Sequence, residues 1–510
     1  AGRLRVRADD VVARGPVAHG ADATARSATS GRPRRSTGKM LRPTLRVAAL
    51  ACALIALAAP AADAARDQFM TFEAPRDLLD PATRPAAMDK IADLGVDRLR
   101  VILTWANVAP SPNARTKPSV DLTDPSVYRW GEYDALLDAA KARGWAVLLT
   151  VSGPVPRWAT KARRDKVTNP RPQEFEAFMT AVGRHYADRV AIWSVWNEPN
   201  HPDFLRPQYD RRRRPVSGRL YRRLFLAAWR ALRATGNGRA PLLMGETAPR
   251  GTGKVVAPLA FLRQALCLDR SYRRKGRCTN LPADGYAHHS YSTRQGPFFV
   301  PENPDDVTMG VVDRLNRALQ LAARAGVVKD RLPIYLDEFG VQSYPDRLLG
   351  VPLRQQPEYY AISEKLAYDN PRVASFSQYL LRDDPKDTKG GSGSLAASAF
   401  PGFESGLELA NGKRKPAYDG FRLPLVVQLA GRAGVRLWGK VRPATGPTEA
   451  TIQQRDGRGR WRTLRTVTTD ADGYFRATGR NRTGRTWRVV WTAPDGRTHT
   501  GPPIRAYPKP

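Results

Sequence analysis

The chain has 510 residues, and 83 lysines and arginines against 48 aspartates and glutamates give it a net charge of +35. This length suits two or three domains, or one large barrel with an accessory domain. The positive charge is scattered, and no helix-turn-helix, RNP or zinc-finger pattern accompanies its one tight run at 211–214, so we expect no nucleic-acid partner. An affinity for an acidic polysaccharide or an anionic cell envelope fits the charge better.

Residues 40–65 have the pattern of a secretory signal peptide. Two arginines precede an apolar core at 47–59, and residues 62–64 form a small-x-small cleavage pattern. The core is too short to span a membrane, which takes about 20 residues. Met40 is therefore predicted to be the true start, with residues 1–39 an upstream or disordered extension or a long basic leader. We expect a secreted protein, with cell-envelope association as a further option, and no membrane-spanning segment.

Eight apolar runs alternate with amphipathic stretches between residues 66 and 422. Several amphipathic stretches end in glycine, a helix-stop signal. Strand–helix alternation predicts a parallel sheet, and eight units predict a closed (β/α)8 TIM barrel. A doubly wound open sheet would show a glycine-rich turn after its first strand, which FEAPRD lacks. The predicted strands are 69–74, 97–105, 145–152, 190–197, 241–247, 284–291, 332–340 and 373–381.

Residues 423–510 have a different sequence pattern, in which short stretches of alternating polar and apolar residues are separated by glycine and aspartate turns. This pattern predicts an immunoglobulin-like β-sandwich accessory domain. The segment carries 17 lysines and arginines against 5 aspartates and glutamates. Its tryptophans either bind carbohydrate or fill the core of the sandwich, and we favour the core; they are Trp461, Trp487 and Trp491.

Two cysteines, Cys267 and Cys278, follow the predicted signal peptide. In a secreted protein two nearby cysteines are expected to form a disulfide, here a local brace, with free thiols as the alternative. No cysteine–histidine cluster has zinc spacing, so no metal site is predicted.

Two predicted strands end in a glutamate at positions where a barrel places its active site. Glu198 follows Trp196 and Asn197 at the end of strand four, and Glu338 ends strand seven after Asp337. Two carboxylic acids at one site are what cleavage of a glycosidic bond requires. Strand alternation is expected to turn Asp337 away from Glu338.

The motif WNEP on strand four, a glutamate ending strand seven and an arginine on strand two resemble clan A glycoside hydrolases. Family 39 is the most similar, with family 5 next, and the resemblance extends over residues 68–422. It implies that Glu198 is the acid/base, that Glu338 is the nucleophile, and that Asn197 contacts the sugar 2-hydroxyl. It implies no cofactor.

The resemblance extends to three further residues. The segment GVDRLRVILTW is similar to strand two of the clan and places its arginine at Arg100, where a cation would hold the nucleophile ionised. His289 and Tyr291 match the His-x-Tyr of strand six, and the Tyr291 hydroxyl is expected to contact Glu338.

Other positions near the predicted site are less determined. Trp158, after strand three, either stacks on a sugar face or anchors its loop. Glu246, at the end of strand five, is either a substrate ligand or an acid without that role. Many clan members end strand eight with a tryptophan, but this sequence has Gln378 and Tyr379 there.

These features together predict a secreted retaining β-glycoside hydrolase that acts on a poly- or oligosaccharide by double displacement. A transglycosylase would use the same two glutamates and differ in excluding water. A non-catalytic glycan-binding protein could keep the barrel, although binding alone does not require both acids. The carbohydrate substrate is the predicted partner in each case.

Overall fold

The computed structural model describes residues 68–346, 349–385 and 402–508. The predicted signal peptide at 40–65 and the extension at 1–39 lie outside the described residues. Within the described ranges, no helix is both long enough and apolar enough to cross a bilayer.

Eight parallel strands form a closed barrel in which each strand pairs with the next along the chain and the eighth pairs with the first. The predicted TIM barrel is therefore confirmed. The strands are β1 (Phe69–Glu73), β2 (Arg98–Thr104), β3 (Ala146–Ser152), β4 (Ile192–Val195), β5 (Leu242–Thr247), β6 (Gly285–His289), β7 (Ile334–Glu338) and β8 (Val373–Tyr379).

Helices surround this barrel and bury one apolar face each against it. In the most amphipathic of them, Leu315, Leu319 and Ala322 are buried at helical spacing while the opposite side is solvated. The helices are α1 (Pro75–Leu79), α2 (Arg84–Asp93), α3 (Trp105–Val108), α4 (Gly131–Ala142), α5 (Pro172–Tyr186), α6 (Ser217–Ala234), α7 (Pro258–Ala265), α8 (Val312–Arg324), α9 (Gln356–Tyr368) and α10 (Pro416–Arg422).

The residues after α10 form an all-β domain of two antiparallel sheets, as predicted. One sheet is β9–β10–β13, and the other is β12–β11–β14 with β15 and β16 both paired to β14. The strands are β9 (Leu425–Ala430), β10 (Gly434–Lys440), β11 (Glu449–Asp456), β12 (Arg462–Thr468), β13 (Tyr474–Arg480), β14 (Arg485–Thr492), β15 (Thr498–Thr500) and β16 (Ile504–Arg505).

The tryptophans of this domain have two different environments. Trp487 and Trp491 are buried in the core between the sheets, as favoured above. Trp461 is only partly buried, and the guanidinium groups of Arg455 and Arg488 lie 4.5 and 4.2 Å from its ring centroid. Core packing therefore accounts for two of the three tryptophans.

The β domain packs against helix α9 of the barrel. Ile362 of α9 lies in a buried apolar cluster with Trp438 of β10 and Tyr474 of β13. Beside it, the buried Arg442 guanidinium pairs with the buried Glu364 carboxylate, again of α9. The contact between the β domain and the barrel therefore combines apolar packing with a buried ion pair.

Cys267 and Cys278 form a disulfide, as expected, with Cα atoms 6.3 Å apart. The bridge closes a loop of arginine-rich sequence between α7 and β6. It is a local brace on the outside of the barrel, because neither cysteine lies at the strand ends.

Candidate active site

The chain after β4 leaves regular strand geometry, and this turns Glu198 into the mouth of the barrel. Trp196 and Glu198 both have positive φ, +72° and +41°, in the region that non-glycine residues rarely adopt. The segment is fixed by hydrogen bonds: the Asn197 N–H donates to Ser152 Oγ (3.0 Å) and the Glu198 N–H to the Glu246 carbonyl (2.9 Å). Strain of this kind is typical of a functional site held by its surroundings.

Bulges in β5 and β7 bring further acids to the inside of the barrel. In the pairing of β6 with β7, Ala287 faces Tyr335 but His289 faces Glu338, so β7 has one extra residue. A bulge of this kind breaks strand alternation. Asp337, which was expected to turn away from Glu338, is fully buried, and its Oδ2 lies 3.5 Å from Nε of Arg100, the arginine that also contacts Glu338.

Arg100 of β2 joins the acids at the centre of the barrel. Its Nη1 donates to Glu338 Oε2 (2.7 Å) and also to Glu73. Its Nη2 donates to Asn197 Oδ1 (2.8 Å) and Glu246 Oε2 (2.7 Å). The Arg100 side chain is fully buried, so these contacts hold it under the site and out of contact with solvent.

Four buried carboxyls around one guanidinium cannot all be ionised. Burial raises the pKa of Glu73 to about 8 and, together with the Glu246 charge, raises the pKa of Asp337 well above its usual value. Burial opposes ionisation of Glu338 too, but His289, Arg100 and the Tyr291 hydroxyl outweigh it and lower the pKa of Glu338. Glu338 is therefore the anion that the site stabilises at neutral pH.

His289 connects the two glutamates that the sequence singles out. Its Nδ1 lies 3.0 Å from Glu198 Oε1 and 3.6 Å from Glu338 Oε2. Burial alone would lower the pKa of His289, but the Glu338 charge and the bond to Glu198 raise it to about 9, against the opposing effect of Arg100. The protonated ring places positive charge between the two glutamate side chains.

Two sets of side chains have donor atoms close enough to hold a cation. One carboxylate oxygen of Glu198, one of Glu338 and a nitrogen of His289 lie within 4.8 Å of one another. A second set, Glu246, His289 and Asp337, has the same spacing. Arg100 already provides positive charge to both carboxylates of the second set.

A cavity of about 750 Å³ opens above these groups at the carboxyl ends of the strands. Both Glu198 and Glu338 line it, and their side chains are 17% and 7% exposed. Its volume lies within the range of small-molecule sites. Glu73, Asn197, Tyr291 and Phe403 also line the cavity.

The predicted site residues separate into a lining layer and a supporting layer. Asn197 and Tyr291 line the cavity, and the Tyr291 hydroxyl donates to Glu338 Oε1 (3.0 Å), the contact expected from the sequence. Arg100 and His289 lie behind that layer and contact the carboxylates. They position the acids and do not form part of the cavity wall.

Two residues for which the sequence left a substrate contact open, Trp158 and Glu246, are buried away from the cavity. Trp158 is 1% exposed and packs edge-to-face on Trp105, with its indole N–H donating to the Pro110 carbonyl (3.2 Å), so it anchors its loop and offers no face to a sugar. Glu246 is fully buried beneath the cavity, where its oxygens accept from Arg100 and from Thr150 (2.6 Å).

Glu73, at the end of β1, was missed by the sequence analysis. It is 2% exposed, lines the cavity and shares Arg100 Nη1 with Glu338. The signal was present, because FMTFEA places an acid at a strand end, the same position that singled out Glu198 and Glu338.

The side chains at the end of strand eight hold the backbone around them. Gln378 donates its side-chain amide to the carbonyls of Tyr379, Leu380 and Ser405 (3.0 Å each), so it does not provide a floor for a sugar. Tyr379 is buried and packs edge-to-face on Phe403, which lines the cavity.

No family model matches this chain. Among solved structures, a glucosidase from Croceicoccus marinus is similar over 85% of this chain and 97% of its own, with a TM-score of 0.51 at 11% identity. A glycoside hydrolase family 39 enzyme from Xanthomonas axonopodis pv. citri covers 85% of this chain and 95% of its own, with a TM-score of 0.48 at 16% identity. At such identities the glucosidase comparison supports the fold alone.

One curated relative, β-glucosidase 47 of Arabidopsis thaliana, is 27% identical over 117 residues. The match covers 23% of this chain and spans about a fifth of the relative's length. The activities in these names are considered below.

Proposed function

We propose that this protein is a secreted retaining β-glycoside hydrolase that cleaves poly- or oligosaccharides. The observation that carries the proposal is the approach of Glu198 and Glu338 at the cavity. One carboxylate oxygen of Glu198 lies within 4.8 Å of one carboxylate oxygen of Glu338, and both residues line the cavity. Retaining enzymes hold their two carboxyl groups about 5–5.5 Å apart and inverting enzymes about 6.5–9.5 Å apart, and the close approach of the nearest oxygens favours retention.

The proposed reaction has two displacements. Glu338 attacks the anomeric carbon while protonated Glu198 gives its proton to the leaving oxygen, and a glycosyl ester forms on Glu338. Glu198 then takes a proton from water, which attacks the same carbon and releases Glu338. Arg100 and Tyr291 support the proposal because they hydrogen-bond Glu338 and favour its ionised form.

Three further observations agree with the proposal. The fold is shared with a solved glucosidase, and the partial sequence match is to a β-glucosidase. Secretion rests on the signal-peptide pattern of residues 40–65. The identity of the sugar is left to experiment.

Labelling with fluorinated glycosides tests the mechanism and the sugar together. The protein is incubated with gluco, xylo, galacto, manno and arabino forms, and its intact mass and peptide map are measured. We expect one sugar to add its mass to the peptide that contains Glu338, and Glu338→Gln to abolish the addition. Glu198→Ala should still be labelled by a glycoside with a good leaving group, and azide should restore its turnover as a β-glycosyl azide.

Two outcomes would contradict this proposal. Labelling of a peptide without Glu338 would reassign the nucleophile. Absence of both labelling and cleavage across a broad glycan panel would remove the glycosidase assignment and favour a glycan-binding role for the barrel.

A further inference from the structure

A dense arginine surface lies on the β domain, away from the strand ends of the barrel. Seven arginines line a depression of about 710 Å³ between the β11–β12 and β13–β14 hairpins, and one acid, Asp456, lines it with them. We call this set the arginine face: Arg455, Arg460, Arg462, Arg465, Arg480, Arg482 and Arg485. The ratio of basic to acidic residues is seven to one in this face and 83 to 48 in the whole chain.

Most of this charge is not neutralised by the protein. Asp456 is used by Arg485, which donates to both of its oxygens (2.6 and 2.8 Å). In the part of the chain that the structure describes, Arg460, Arg462 and Arg465 have no carboxylate within 4 Å, and all three are exposed. Like charges held this close raise the free energy of the unbound protein.

Trp461 fixes one cation of this surface, Arg455, and one cation beside it, Arg488. The Arg455 and Arg488 guanidinium groups lie 4.5 and 4.2 Å from its ring centroid, within the range of a cation–π contact. Arg488 Nε also donates to Gln453 Oε1 (2.8 Å), which holds the group in place. The arginines are therefore partly preorganised, and binding loses less side-chain entropy.

We propose that the arginine face binds a linear acidic polysaccharide through its carboxylate or sulfate groups. The planar fork of a guanidinium matches these groups with two parallel hydrogen bonds. A groove bordered by two hairpins suits a chain molecule that carries charge at each repeat. The choice of a polysaccharide rests on the proposed function, and the binding site would hold the barrel near an acidic glycan.

Nucleic acid fits this surface less well. Binding of single strands uses aromatic platforms on which bases stack. Trp461 is the aromatic side chain next to the face, and its ring already carries two guanidinium groups. Tyr474 and Trp487 are buried.

Binding is measured on the full chain with polygalacturonate and heparin as probes, neutral xylan as the uncharged comparison and duplex DNA as the other polyanion. Titrations run from roughly 50 to 200 mM NaCl. The variant is Arg460→Gln/Arg462→Gln/Arg465→Gln. The matched control, Arg239→Gln/Arg317→Gln/Arg324→Gln, removes equal charge from exposed arginines of the barrel.

We expect the wild type to bind at least one acidic polysaccharide and not xylan. The arginine-face variant should lose about 10-fold or more in affinity, with a flatter dependence of log Kd on log salt, and the control should change less than about 2-fold. Equal losses in both variants, or no binding of either acidic polysaccharide, would overturn the proposal. Tighter binding of duplex DNA than of both polysaccharides would overturn it in favour of nucleic acid.

Activity on a small uncharged glycoside separates this proposal from the proposed function. The arginine-face variant should keep the wild-type rate and thermal midpoint, because its arginines are exposed and remote from the cavity. A wild type that is neither labelled nor active on any glycan of the panel, but still binds acidic polysaccharide through this face, would remove the glycosidase assignment and leave the binding site.

Discussion

Arg100 is the residue on which the arrangement of acids depends. Its guanidinium donates to Glu73, Asn197, Glu246 and Glu338 from a fully buried position. A lysine at this position has the same charge but cannot reach four acceptors in one plane. The site is therefore more sensitive to the shape of this side chain than to its charge.

Arg100→Lys should lower the free energy of unfolding by about 3 kcal/mol or more, because buried carboxylates lose their partner. If the proposed function holds, kcat should fall roughly 100-fold. The acid limb of the pH–rate profile should move to higher pH, since Arg100 helps to keep the pKa of Glu338 low. Arg98→Lys, on the same strand but partly exposed, is the control and should change neither. An unshifted acid limb would contradict this role.

Glu73 is expected to contribute to the alkaline limit of activity. Its pKa of about 8 means that it is neutral below that pH and ionised above it. The new charge would compete with Glu338 for Arg100 Nη1, which both carboxyls share. Glu73→Gln keeps an acceptor for Arg100 without the charge, so its alkaline limb should move up toward about 9, where His289 loses its proton.

The pH–rate profiles of wild type and variant measure this effect. Glu358→Gln is the control, because burial also raises the pKa of Glu358 but that residue lies on α9 outside the cavity. Identical alkaline limbs in wild type and Glu73→Gln would show that Glu73 has no part in the limit.

At the scale of elements, β-bulges shape the site, and a disulfide supports a loop outside it. The register shifts in β5 and β7 lie beside Glu246 and Asp337, and both side chains contact Arg100. The loop between α7 and β6 has a separate support, the Cys267–Cys278 disulfide. The cavity lining and the disulfide loop share no residue, so a substitution in one is expected to leave the other unchanged.

Replacing both cysteines, Cys267→Ser/Cys278→Ser, should therefore lower stability and leave catalysis unchanged. The bridged residues are 11 apart in sequence, and closing such a loop contributes at most about 3 kcal/mol by restricting the unfolded chain. Thermal melts with and without reductant measure the loss, and kcat/KM on the labelled sugar measures the site. A change in kcat/KM of more than about 3-fold would contradict the separation.

At the scale of the whole molecule, the barrel and the β domain share a buried interface. Arg442 and Glu364 are 2% and 1% exposed at the side chain, and Arg442 Nη1 also donates to the Phe421 carbonyl (2.6 Å). Next to them, the apolar cluster of α9 with β10 and β13 excludes water. We therefore expect the two parts to unfold together.

Arg442→Met should destabilise the protein by about 3 kcal/mol, because Glu364 would stay buried without a cation. Adding Glu364→Gln should recover part of that loss. Urea unfolding followed by tryptophan fluorescence measures both, and Arg436→Met, an exposed position on β10, the strand that precedes Arg442, is the control. A loss within about 0.5 kcal/mol of the control would mean that the ion pair does not hold the domain.

Local sequence patterns predicted the elements and the two central acids. Apolar runs that alternate with amphipathic stretches gave all eight barrel strands, because burial on both faces needs continuous apolar sequence. Glu198 and Glu338 stood out because each is a polar residue directly after such a run. The role of Trp158 stayed open between a sugar platform and a loop anchor, since a tryptophan in a loop has the same sequence signal whether it faces a sugar or another tryptophan.

The sequence by itself determined the barrel, the β domain and the candidate pair Glu198 and Glu338, since these depend on periodicity and on strand ends, which are local. Only the tertiary structure decided which carboxyls are ionised. The pKa values of Glu73, Asp337 and Glu338 depend on burial and on distances to Arg100 and His289. These groups come from four strands far apart in the chain, and electrostatic energies follow distance in space.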